Sequence, residues 1–263
     1  MSEILVLVRH WRLMVLMARQ DLKSSFQNYK LGMVWALAEP FAMAILIWLV
    51  FSFIRAGRAD RIGLDPFVIY IVTGFLPFQW LVRSMNKGPK VFKKYGPMLM
   101  SSPLPVWIWP LRVVNAGAAE FFVSIPVIFA LMLLFGAPFT WGLALLPVAI
   151  LLQYVLALGA AMLGAALGIR LPDVSYIFSV LARMLFWTSP ILWTSKNFPD
   201  FIAPWLYLNP FHIVLDLYRA TIWPESLPSL RDALLSLTVI AVIFISGSIL
   251  LKLRVAEARR LVS

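Results

Sequence analysis

Apolar residues along the chain gather into long runs at about 31–54, 66–86, 106–135, 141–169, 174–195 and 230–251, parted by short stretches of charge, proline or glycine. About 20 apolar residues at about 1.5 Å each cover a bilayer core. The pattern therefore predicts an all-α integral membrane protein with six transmembrane helices. Residues 3–26 follow a different period. Ile4, Leu7, Trp11, Met14, Ala18 and Leu22 recur at steps of three and four and share one face. Arg12, Arg19 and Lys23 fall together on another, with Arg9 beside them. Such a helix is expected to lie in the membrane interface. Residues 197–228 carry apolar pieces of about a dozen residues, broken by Pro199, Pro204, Pro210, Pro224 and Pro228. Each is too short to span, which predicts external re-entrant or interfacial helices.

Polar residues inside the runs refine this picture. Glu39 and Pro40 interrupt the first, and a carboxylate at that depth should face protein or a water-filled path. Glu120 is the second buried carboxylate expected, in the third run. Pro77 is expected to kink the second. The fourth holds Ala160, Gly164 and Gly168 at small-xxx-small spacing, read as a helix-packing stripe. Residues 87–105 read as the most basic loop, with Lys87, Lys90, Lys93 and Lys94 and no acid. Arg183 sits mid-way along the fifth run, so it must pair with a carboxylate such as Glu39 or Glu120, or face an anionic cargo. We see no second domain and no internal repeat.

Composition agrees: of 263 residues, 62% are hydrophobic and 13% charged, too apolar for a soluble domain of this size. The net charge of +11 is not a nucleic-acid footprint, because the basic residues lie mainly in water-facing segments. Lys plus Arg number 16 on the side of the termini against 6 opposite, which places both termini in the cytoplasm. Residues 1–28 do not read as a cleavable signal. Cysteine is absent, and His10 and His212 lie far apart, so no metal site is expected. No phosphate-binding loop or dinucleotide fingerprint is present, so no nucleotide cofactor is expected on this chain. The aromatic load suits either an interfacial belt or a wall on which sugar rings stack.

The run Tyr29-Lys30-Leu31-Gly32-Met33-Val34-Trp35-Ala36-Leu37-Ala38-Glu39-Pro40 resembles the start of the first span in permease subunits of ABC exporters for polysaccharides and polyol phosphates. Thr73-Gly74-Phe75-Leu76-Pro77-Phe78 is similar to that family's second-span motif. Ser189-Pro190, Leu208-Asn209-Pro210 and Tyr218-Arg219 resemble its fifth span and external segment. The Ala38-Glu39-Pro40 variant looks closest to the capsular-polysaccharide branch. The resemblance implies a homodimer in the bacterial inner membrane. It implies two copies of a cytoplasmic ATPase that carry the ATP and Mg, a lipid-linked polysaccharide as cargo, and periplasmic or outer-membrane export proteins as further partners. It makes residues 3–26 a gate helix and Lys90 to Ser101 a coupling helix. Arg12, Arg19, Lys23, Lys90, Lys93, Lys94 and Tyr95 become expected ATPase contacts. Trp35, Phe41, Trp48, Arg183 and Trp187 become channel-wall candidates, and Asn209, Pro210, Tyr218 and Arg219 candidates for the external exit.

Other readings remain open at this point. A permease of the same fold could export a drug or a small lipid. A membrane-embedded transferase would need clustered His, Asp or Glu at the membrane edge, and a secondary transporter often shows inverted repeats. The chain displays neither feature.

Overall fold

A computed structural model describes residues 3–35, 38–39, 41–43, 45–46, 49–50, 67–101, 104–193, 203–254 and 256–257, and all regular structure among them is helical. Helix α1 is Glu3–Phe26, α2 Phe67–Lys87 and α3 Val91–Ser101. Helix α4 is Ile108–Phe135, α5 Leu146–Gly168 and α6 Val174–Thr188. Helix α7 is Pro210–Ala220 and α8 Leu230–Leu253. Among the described residues, four stretches are long and apolar enough to cross a membrane: Phe67–Leu99, Ile108–Phe135, Trp141–Gly168 and Leu230–Leu253. Ten of the 24 residues of the first span expected at 31–54 lie outside the described residues, and those described at 35, 38–39, 41–43, 45–46 and 49–50 are helical.

Helix α2 is the centre. Most of its residues, from Phe67 to Met85, are buried among α4, α5, α6 and α7. It continues on both sides of Pro77, whose carbonyl accepts a hydrogen bond at 2.7 Å from Nε2 of the fully buried Gln153 on α5. Two close backbone approaches fasten the bundle. A Cβ on Gly159 would lie 2.8 Å from Cα of Phe244, and one on Gly247 would lie 2.6 Å from the Gly159 carbonyl, so α5 and α8 touch backbone to backbone. About two and a half turns further along α5, a Cβ on Gly168 would lie 2.3 Å from the Pro89 carbonyl. The expected small-residue stripe thus packs, but against the short 3₁₀ turn Gly88–Lys90 as well as a helix.

The stretch read as a basic loop is mostly helix. Helix α3 departs from helical geometry at Tyr95 (φ −106°, ψ 15°), two residues before Pro97. Pro97 cannot donate to the carbonyl of Lys93, and it disfavours helical geometry at Gly96. The fifth apolar run also departs from expectation. Its helix ends at Thr188 rather than near 195, because Ser189 precedes Pro190 and turns extended (φ −89°, ψ 141°). Fifteen residues make about 22 Å, short of a bilayer core.

Candidate functional site

Helix α6 buries only Val174, Phe178 and Ala182 against the rest of the chain. Leu185 and Phe186 are partly buried against the core, while Tyr176 is 70% and Trp187 69% exposed. Tyr176, Ser179, Arg183 and Trp187 recur at steps of three and four, so they form one stripe. That stripe faces Phe75, Gln79, Val82 and Asn86 on α2, and between them lies an open groove of about 440 Å³. Phe186 anchors the far end, its ring 5.5 Å from Phe78, and Trp187 is set T-shaped beside it at 5.4 Å. Arg183 is exposed in this groove and makes no ion pair among the described residues. It lies nine residues into an apolar helix, about 13 Å along the axis. An arginine facing lipid there would cost about 2.5–3.5 kcal/mol or more, so water, protein or cargo must cover this face.

Phe75 and Gln79 are shared with a second, smaller cavity of about 150 Å³ on the other side of α2. Glu39, Arg83, Trp80, Glu120, Phe121 and Ser124 line it. Glu120 pairs with Arg83, not with Arg183. No local pattern announces this pair, whose members lie 37 positions apart in the chain. Glu39 is exposed rather than buried, although it lines the same cavity. Trp80 forms the wall, stacked on Phe121 at 5.6 Å and donating from Nε1 to the Val114 carbonyl at 3.0 Å. Of the other channel-wall candidates, Trp35 and Phe41 are exposed, and Trp48 lies outside the described residues.

The basic residues divide. Lys90, Lys93 and Lys94 are exposed on the 3₁₀ turn and α3, and Arg12, Arg19 and Lys23 are exposed on α1. Tyr95 is not a surface residue: it is buried and stacks on Trp109 at 5.6 Å, because α3 lays its aromatic face on α4.

The three external motifs converge. Asn209 caps α7, its Oδ1 accepting from the Phe211 amide at 3.0 Å, while its Nδ2 donates to Ser189 Oγ at 2.8 Å. The Pro190 carbonyl accepts from Arg219 and, at 3.2 Å, from the Tyr70 hydroxyl. The Arg219 guanidinium lies 3.5 Å from the centre of the Tyr70 ring. Asn209, Pro210, Tyr218 and Arg219 are all buried, so they do not line an opening among the described residues. Burial pushes the Asp216 carboxyl up to about 7, opposed by nearby Arg219, and burial pushes His212 down to about 4. Asp216 accepts from the Tyr207 hydroxyl at 3.0 Å, and the Tyr207 ring stacks on His212 at 4.2 Å.

Among the described residues no group of His, Asp and Glu could hold a metal. The arrangement is an aromatic wall with a cation in it. A family model described as "ABC-2 type transporter" matches residues 12–223. The chain is 24% identical over 235 residues to the O-antigen export system permease protein RfbA of Myxococcus xanthus, covering 89% of this chain and 88% of that protein. It is 22% identical over 242 residues to the Klebsiella pneumoniae protein of the same name, covering 90% and 87%. It is 21% identical over 219 residues to the polysialic acid transport protein KpsM of Escherichia coli, covering 78% and 79%.

Proposed function

We infer the function from one premise: the chain belongs to the ABC-2 type transporter family. It is the permease subunit of an ATP-driven exporter that moves a lipid-linked polysaccharide across the bacterial cytoplasmic membrane. The observation that carries this reading is the match along about nine-tenths of the chain to permease proteins named for O-antigen export in two species, with a match over 78% of it to a protein named for polysialic acid transport in another. The groove supports it chemically. Tyr176, Phe75 and Trp187 offer flat apolar faces to sugar rings, and Arg183 offers a fork to phosphate or carboxylate oxygens. Contacts of this kind hold a polymer weakly enough for it to advance, as conduction requires.

The finer parts follow from that reading. A second copy of the chain closes the open α6 face, and a separate ATPase supplies hydrolysis from the cytoplasm. The exposed lysines of the 3₁₀ turn and α3 receive that ATPase, and both termini share its side. Helix α1 lies at the membrane interface as a gate. The turn Ala203–Leu206 and α7 belong to the external re-entrant segment.

Deleting the gene in its native bacterium tests the function. Surface polysaccharide should disappear and lipid-linked glycan should accumulate inside. Unchanged surface glycan together with new sensitivity to small lipophilic drugs would instead assign the chain to export of small molecules.

A further inference from the structure

Arg112, on α4, stands where three elements meet, and it takes no part in the groove. It is 6% exposed. Its Nε and Nη2 donate to Oδ2 and Oδ1 of Asp21 on α1, both at 2.7 Å, in a bidentate fork. Its remaining arm, Nη1, points at Sδ of Met98 at 3.7 Å, and its Cζ lies 4.4 Å from the centre of the Tyr95 ring. Tyr95 and Met98 both belong to α3 and stand three residues apart, so they are neighbours on one face. One cation on a spanning helix thus grips the interfacial helix through charge and the cytoplasmic helix through an aromatic ring and a thioether.

The grip falls where each helix can be moved by it. Tyr95 is the residue at which α3 leaves helical geometry. Lys94, exposed to the cytoplasm in the proposed topology, lies 5.0 Å from the same ring. Load applied to the lysine surface therefore arrives one residue from the clasped position. Beside this fork, Leu22 and Phe26 of α1 pack against Ala119 and Val123 of α4.

We propose that Arg112 is a positioning residue that clasps α1 to α3, so that a cytoplasmic protein docked on the lysines of α3 moves α1 with it. That the docked protein is the ATPase rests on the function proposed above; the clasp itself does not.

Hydrogen exchange on the full chain in lipid nanodiscs tests the clasp directly. Asp21 is on α1, yet Asp21→Asn should raise exchange in the segment Val91–Ser101 by about tenfold, the size of one weakened local opening equilibrium. The charge-swapped pair Asp21→Arg with Arg112→Asp restores an ion pair between α1 and α4 but takes the guanidinium off Tyr95, so exchange in that segment should stay raised. Arg112→Lys, which keeps the charge and loses the fork, should fall between, and serves if Asp21→Asn does not fold. Native exchange in that segment for every folded variant would overturn the proposal. The second readout uses the complex purified with its ATPase. Asp21→Asn should keep hydrolysis within about twofold but lower glycan exported per ATP by about fivefold or more, as a lost coupling does. A proportional fall in both would mark a merely structural pair and overturn the positioning role. If the native complex exports no glycan at all, the proposed function fails, while the exchange result still decides the clasp.

Discussion

Helices α2 and α6 are alike in composition and opposite in use. Both are apolar and aromatic, and each carries one arginine, Arg83 and Arg183. Helix α2 is buried nearly all round, and its arginine has a partner in Glu120. Helix α6 buries three residues, and its arginine stands exposed in a groove. Hydrophobicity therefore does not separate frame from wall in a membrane protein, since lipid rewards both. What separates them is whether the chain itself satisfies the polar group. A paired arginine belongs to the frame, whereas an open one marks a face that something else must cover.

The largest contrast should come from the frame itself. Gly168→Leu places a side chain where a Cβ already meets the Pro89 carbonyl at 2.3 Å. Backbone cannot yield as a side-chain tip can, so the 3₁₀ turn and the bundle must part. We expect loss of monodisperse protein on size exclusion. A well-folded Gly168→Leu protein would show that the Gly88–Lys90 turn is not packed as described.

Next come the two tryptophans. Trp80→Ala removes a buried ring with three partners, Phe121, Tyr154 and the Val114 carbonyl, and should cost about 3–5 kcal/mol. Trp187→Ala removes an exposed ring and should leave thermal stability within about 0.5 kcal/mol. Glycan export should nevertheless fall in Trp187→Ala. Equal destabilisation by the two changes, read as melting temperatures in detergent, would erase the distinction between frame and wall.

The arginines give the smallest but most specific difference. Arg83→Met leaves Glu120 half-buried without its cation, and should cost on the order of 1–3 kcal/mol. Adding Glu120→Gln should recover much of that loss. Arg183→Met should not change stability and should abolish export. Loss of stability with Arg183→Met, together with rescue by a change at a carboxylate, would turn it into a frame residue.

How much of this was legible before the fold is best judged element by element. Residues 66–86 and 230–251 became Phe67–Lys87 and Leu230–Leu253 because a long apolar run leaves few alternatives. The fifth run was read too far, although Ser189-Pro190 was in view. Apolar residues continue past it, and only the proline's effect on its predecessor stops the helix. The external motifs were recognised one by one, but not that Asn209, Ser189, Pro190 and Arg219 bond to each other. The long-range pairs were invisible. Asp21 and Arg112 are 91 positions apart, and neither has a local pattern that announces the other. Arg219 was expected at the external exit rather than inside the protein, because a buried guanidinium leaves no periodic trace in sequence.

The central claim is that the α6 stripe faces a water-filled path rather than lipid. The chain has no cysteine, so single cysteines report without background. The most direct measurement is reaction of Cys placed at 176, 179, 183 and 187 with a membrane-impermeant charged thiol reagent in native membranes. The account predicts modification at all four positions, with Cys at the buried Phe178 unreactive, and protection of the four when lipid-linked glycan fills the exporter. Four unreactive positions, matched by labelling from a lipid-soluble reagent, would contradict it.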